Sequence, residues 1–277
     1  MRCISRNSFA VGVFAIGFST FTHPVRAATP LPGLTNLNFV NYTGAAPKNT
    51  FTAVNPTGWT GGNGLIFIDQ PGTSSSNTNT ACGSTYLQTY GCPSALSITG
   101  GYNVVEADGN PQYESGFNYS VSGLTINQTY QLSFYQAASQ QTTFNGATTE
   151  QWIVSLGTAG MQSSWNTVSN QCALCTYSNS DPNASIVATT LMSTPSHGLT
   201  DWQYVTISLK ADATTDVLSF LAWGDNGSTV NLPPMVFLTG VNSAAGLNTP
   251  EPGSIVLFGS VLVGVGAIIR RRAANKV

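Results

Sequence analysis

Charge is what this sequence has least of. Asp, Glu, Lys and Arg together make up 7% of its 277 residues, against roughly a quarter in an ordinary soluble protein. The shortage is sharpest among the bases. Between Ala28 and Thr249 the only cations are Lys48 and Lys210, set against ten acids, so that stretch carries a net −8 although the whole chain carries only −2. Two cations cannot neutralise a row of phosphates, which excludes nucleic acid as a partner. Histidine is almost as scarce. His197 is the only one in the same stretch, so metal sites built from several histidines are excluded and histidine-based catalysis would hang on one residue. The stretch also has no amphipathic-helix pattern, no charge run, no internal repeat and no linker-like composition, which predicts one domain.

What is present is clearest at the two ends. Arg2 and Arg6 precede an uncharged apolar run from Phe9 to Phe21, followed by Val25, Arg26, Ala27 and Ala28. Small residues three and one positions before Ala28 complete the layout of a secretory signal peptide, removed after Ala27. At the other end Pro250-Glu251-Pro252 precedes an uncharged apolar run, Ser254 to Ile269, closed by Arg270-Arg271-Arg272. Sixteen helical residues cover about 24 Å, marginal against a hydrocarbon core of about 30 Å. The arginines would hold the tail on the cytoplasmic side.

These last 28 residues resemble the PEP-CTERM sorting tail of Gram-negative bacteria that make extracellular polysaccharide. The resemblance implies an exosortase, a membrane cysteine protease, as a partner that cuts near the tripeptide. Attachment to the inner membrane through the single transmembrane helix 254–269 would then be transient, and the product would pass to the cell surface or matrix. An ordinary single-pass anchor is the plainer alternative. The expected organisation is therefore a signal peptide (1–27), an ectodomain (28–249) and a sorting tail (250–277).

Loss of Cys3 with the signal peptide leaves Cys82, Cys92, Cys172 and Cys175. An even number in an exported protein predicts two disulfides; three connectivities are open, and sequence-local pairing is expected. Apolar residues alternate with polar ones along Phe117–Val121, Tyr130–Tyr135, Gln151–Leu156, Val205–Lys210, Val217–Trp223 and Met235–Val241. Such period-two runs separated by Gly, Asn and Pro turns predict an all-β antiparallel sandwich. The polar stretch Thr73–Thr80 reads as a surface loop or insertion.

The order Val104-Val105-Glu106-Ala107-Asp108-Gly109-Asn110, then Val121-Ser122-Gly123-Leu124, then Thr129–Phe134, with Trp202–Ile207 and Val217–Phe220 later, resembles the galactose-binding-like jelly rolls. Many of these place an aspartate in the closing strand. Phe237–Val241 has none, which removes one source of ligands for a structural calcium.

Chemistry-bearing candidates are few. Glu106, Asp108 and Asn110 offer oxygens at alternate positions, a calcium-like spacing, although Asp108-Gly109 equally suits a turn with solvated acids. No other cofactor is expected. Trp59 and Trp165 sit in loop-like sequence where a ring could face a sugar, or pack against a sheet edge. Glu114 and Glu150 are the plainest carboxylate pair for glycoside hydrolysis, but no Gly-x-Ser-x-Gly elbow or other catalytic motif accompanies them. The expectation is an exported, non-catalytic surface or matrix protein that binds or is embedded in exopolysaccharide. A biofilm adhesin without a glycan ligand and a secreted polysaccharide hydrolase or lyase are the alternatives.

Overall fold

A computed structural model describes residues 29–61, 64–70, 87–98, 100–113, 115–164, 172 and 174–242. The signal segment, the sorting tail, Cys82, Glu114, Trp165 and the stretch Thr73–Thr80 lie outside these residues. In chain order the strands are β1 (Asn49–Thr50), β2 (Trp59–Gly61), β3 (Ile66–Asp69), β4 (Val104–Asp108), β5 (Gly116–Ser122), β6 (Thr129–Gln140) and β7 (Thr148–Gly157). They continue as β8 (Met161–Ser163), β9 (Tyr177–Asn179), β10 (Ser185–Ala188), β11 (Met192–Thr194), β12 (Gln203–Lys210), β13 (Thr215–Gly224) and β14 (Pro234–Asn242). Each of the six runs that alternate in the sequence lies inside one of these strands.

Two sheets face one another. The first has the order β1-β3-β4-β14-β6-β12, and the second β10-β7-β13-β5-β2, with β11 also paired to β7. The strand pairs are antiparallel. Successive long strands alternate between the sheets from β4 through β7 and again from β12 through β14, and β14 enters between β4 and β6. The all-β sandwich expected from the sequence is thus the observed architecture. Among the described residues no helix is long and apolar enough to cross a membrane.

Alternation decides which side of each strand enters the core. On β12, Val205, Ile207 and Leu209 are buried, while Tyr204, Thr206, Ser208 and Lys210 are exposed. Aromatic rings fill the space between the sheets. Phe117 and Phe220, on neighbouring strands of the second sheet, stack at 5.1 Å. Phe134, from the first sheet, meets Phe220 edge-on at 5.3 Å. Burying one such ring contributes about 1.5–3 kcal/mol through the apolar surface removed from water.

Several strands depart from simple alternation, β3 and β4 along their whole length. All four residues of β3 and all five of β4 are buried, because the outer side of these strands is covered as well. Phe67 packs there with Leu87 and Met235, and Val104 with Ala137 and Phe237, flanked by Tyr102 and Trp202. Among the described residues there is one short α-helix, Phe51–Val54, whose Phe51 and Val54 turn inward. Four residues are too few to produce a recognisable helical period.

Candidate functional site

Beyond the cover of β3 and β4, the outward side chains Tyr204, Thr206, Ser208 and Lys210 of β12 are exposed, while on neighbouring β6 Thr129 is exposed, Gln131 and Tyr135 are half-buried and Ser133 is buried. Register sets out these residues in rows: Tyr204 opposite Tyr135, Thr206 opposite Ser133, Ser208 opposite Gln131, and Lys210 opposite Thr129. All lie in the register that points away from the core residues Leu132, Phe134, Val205 and Ile207. The Tyr135 and Tyr204 ring centroids are 5.1 Å apart and the planes are tilted by 58°. Tyr204 keeps 44% of its surface exposed. Beside the rings, the hydroxyls of Ser133 and Thr206 are hydrogen-bonded at 3.2 Å. The rows between the tyrosines and Lys210 therefore carry hydroxyls and an amide and no charge. Such a surface can stack the apolar side of a ring on an aromatic face and exchange hydrogen bonds with hydroxyl groups.

The residues singled out from sequence have other surroundings. Trp59 begins β2 and is 5% exposed, its ring 5.1 Å from Phe39, 5.2 Å from Phe117 and 5.1 Å from Tyr119. Its indole N–H donates to the Asn36 carbonyl at 3.2 Å. Of the two readings open at this position, a ring facing a sugar and a packed ring, the structure has the packed one, with Trp59 inside the core. The glycines around it look like a flexible loop in sequence, but Phe39 and Phe117 arrive from far along the chain.

Glu106, Asp108 and Asn110 are all buried. Asp108 Oδ1 accepts the Asn110 N–H at 2.8 Å, and Asn110 Oδ1 accepts the Gln112 N–H at 3.0 Å. Asp108 ends β4, Gly109 stays bonded through its backbone to Pro234 and Gly224, and the acids are enclosed rather than solvated. Among the described residues no group of three or more His, Cys, Asp or Glu side chains is arranged to hold a metal. Burial pushes the Asp108 carboxyl up to about 7, the Asn110 hydrogen bond opposing the rise and the Asp225 charge adding to it.

Glu150 also lies inside, with the Thr194 hydroxyl donating to its Oε2 at 2.9 Å. Burial pushes its carboxyl up to about 8. Asp225 stands near both carboxyls because β7 and β13 pair Glu150 with Gly224, and Gly224 N donates to the Gly109 carbonyl at 2.7 Å. His197 is exposed in a turn at φ 61°, its ring 4.4 Å from Tyr90 and its Nε2 against Asn145 Oδ1. Cys172 and Cys175 form a disulfide, and Cys92 is disulfide-bonded too.

The sequence alone does not single out the tyrosine pair, because its signal is contextual. An aromatic residue in the polar register of an amphipathic strand marks an outward ring, but only once the register partner is known to carry another.

No family model matches the chain, and no curated protein matches it. Among solved structures it is similar to an arabinose-bound MgGH51 α-L-arabinofuranosidase, with 15% identity over 78% of this chain and 26% of that one, at a TM-score of 0.35. It is also similar to the K1 cleaved adhesin domain of Lys-gingipain from Porphyromonas gingivalis W83, with 12% identity over 72% and 96% of the two chains and a TM-score of 0.32. A third likeness is to the CBM22-2 xylan-binding domain from Paenibacillus barcinonensis Xyn10C, with 10% identity, coverages of 70% and 96%, and a TM-score of 0.33. The chain thus spans about a quarter of the arabinofuranosidase and nearly all of the other two.

Proposed function

We propose that this chain is a non-catalytic exported protein that holds neutral polysaccharide on the outer face of β6 and β12. The observation that carries this reading is the Tyr135–Tyr204 pair, with Tyr135 half-buried and Tyr204 exposed, beside the exposed hydroxyls of Thr206 and Ser208 on the same face. A polymer of neutral sugars offers what such a face takes: apolar ring faces to stack and hydroxyls to bond. The enclosure of Glu150 supports a non-catalytic role, since a general acid or base must reach its substrate. The N-terminal segment 1–27 directs export in this reading, and the tail 250–277 delivers the protein to an exosortase and then to the surface or exopolysaccharide matrix of a Gram-negative bacterium.

The test is retention of the purified protein on neutral and acidic polysaccharides, with Tyr204→Ala alongside. Binding to a neutral polymer that falls by about tenfold in Tyr204→Ala, as expected on losing a stacked ring, supports the reading. Failure to retain on any polysaccharide removes it. Intact mass of the protein from its host tests the addressing part: a product starting at Ala28 and ending near Pro250 supports sorting, and one retaining Arg270-Arg271-Arg272 overturns it.

A further inference from the structure

The outward register of β12 continues one step before Tyr204, to Trp202. Residues two apart on a strand stand about 7 Å apart on the same face, and Tyr204 opposite Tyr135 places Trp202 beside Ala137, with which it clusters. Trp202 is only partly exposed, and its indole N–H is buried without a hydrogen-bond partner. A buried unpaired donor costs free energy that a bound acceptor would recover.

Residues 92–98 have no regular secondary structure and are tied to Asp201, the neighbour of Trp202 in the chain, and to Tyr102 of its cluster. The Ser94 N–H and hydroxyl donate to Asp201 Oδ1 and Oδ2, each at 3.1 Å. The Leu96 N–H donates to the Tyr102 hydroxyl at 2.8 Å, and Tyr102 packs on the same apolar cluster as Trp202. One end of the segment is fixed by the disulfide at Cys92. Beyond the other end come Gly100 and Gly101, at φ +85° and +77°, with nothing within 4 Å of where a Cβ would stand. These glycines are required by their backbone angles and not by crowding, which suits a hinge. Ile98 reaches Gly240 beside the Tyr135 ring, so the segment borders the tyrosine platform as well.

We propose that Trp202 is a third ring of the carbohydrate platform, withheld by a strap formed by residues 92–98 and uncovered when the Ser94–Asp201 tie opens. This rests on the polysaccharide-binding reading of Tyr135 and Tyr204. Opening turns a two-ring platform into a three-ring one, so it favours longer oligosaccharides over shorter ones.

The test compares the full chain with Asp201→Ala, which removes both bonds of the tie together with the acceptor of the Trp202 N–H, and with Ser94→Ala, which removes the hydroxyl bond and keeps the one from the Ser94 N–H. Hydroxyl-radical labelling of Trp202 and amide exchange across 94–98 should both rise about fivefold or more in Asp201→Ala, as for a locally opened segment, and by less in Ser94→Ala. The preference for cellohexaose over cellobiose should rise about three- to tenfold, the worth of one added stacking contact, and Trp202→Ala placed on Asp201→Ala should abolish that gain. Unchanged labelling and exchange in both variants overturn the strap. Increased labelling with an unchanged length preference overturns the third ring. Increased labelling with no binding of either sugar by any form, wild type included, removes the polysaccharide reading itself and the third ring with it.

Discussion

The indole N–H of Trp152, on β7 of the second sheet, donates to the backbone carbonyl of Phe237, on β14 of the first, at 3.1 Å. The bond crosses the core between two strands that do not pair, and Trp152 is completely buried. It fixes how β7 sits over β14 in a way that non-directional apolar packing cannot. Trp152→Phe keeps most of the ring volume but leaves the Phe237 carbonyl facing an apolar group, and should lower stability by about 1–3 kcal/mol. Trp152→Ala should cost about 3–5 kcal/mol because it also opens a cavity. Chemical denaturation measures both; equal losses in the two variants would mean the hydrogen bond has no separate worth.

Stability should decline from mildly acidic to mildly alkaline pH, the reverse of common acid denaturation. Burial raises Asp69 from 3.8 to about 6, opposed by Glu106 and the Lys48 charge. It raises Asp108 from 3.8 to about 7 and Glu150 from 4.5 to about 8. Each folded carboxyl keeps its proton where the unfolded chain has lost one. The stabilisation is therefore complete below the ordinary value, is lost as pH climbs towards the raised value, and changes no further above it. Asp181 opposes this at the acid end: hydrogen bonds from Thr158 and Asn183 hold it at about 2, so its contribution is lost as pH falls below 3.8. Thermal melts should show the highest Tm at about pH 4–5, with a fall to about pH 8. Glu150→Gln should raise Tm at pH 8 and change it little at pH 4. A wild-type Tm that climbs from pH 4 to pH 8 would overturn the assignment.

How much of this was legible beforehand depended on whether a residue's role is local. Val205, Ile207 and Leu209 declare a strand because each enters the same core, and the alternation survives in the sequence. The residues of β3 are buried on both sides, so Ile66–Asp69 shows no alternation, and its outer cover comes from Leu87 and Met235, distant in the chain. The two readings of Trp59 are not separable in the sequence for the same reason: its neighbours are local glycines in sequence but Phe39 and Phe117 in space. The acids at 106 and 108 showed their spacing but not their enclosure, which follows from β4 lying between β3 and β14.

The Cys172–Cys175 disulfide closes a very short loop, its cysteines three positions apart. Chain entropy assigns so small a ring about 2 kcal/mol. Cys175 is buried against Ile153, Leu221 and Trp223, and its N–H donates to the Gly227 carbonyl at 2.8 Å. Replacing both cysteines by serine should therefore lower stability by about 2 kcal/mol, with part of the loss from placing a hydroxyl in an apolar cluster. Urea denaturation under non-reducing conditions, which leaves the bond at Cys92 intact, isolates the effect. An unchanged midpoint would mean that the pairing with Gly227 alone holds the loop.

Trp59 and Tyr204 should separate folding from binding. Trp59 is enclosed by Phe39, Phe117 and Tyr119 and hydrogen-bonded to Asn36, so Trp59→Ala removes a ring from the core and should cost about 3–5 kcal/mol. The part of the population that stays folded should bind polysaccharide as the wild type does, because no Trp59 atom belongs to the outer face of β6 and β12. Tyr204 is 44% exposed and lies against Tyr135, so Tyr204→Ala should change stability by no more than about 0.5 kcal/mol. Its retention on neutral polysaccharide should nevertheless drop by about tenfold. Denaturation midpoints and affinity electrophoresis on the same two variants provide the crossed comparison. If Trp59→Ala is stable and loses binding while Tyr204→Ala keeps it, the ligand lies at the Trp59 edge of the second sheet and the tyrosine face is only surface.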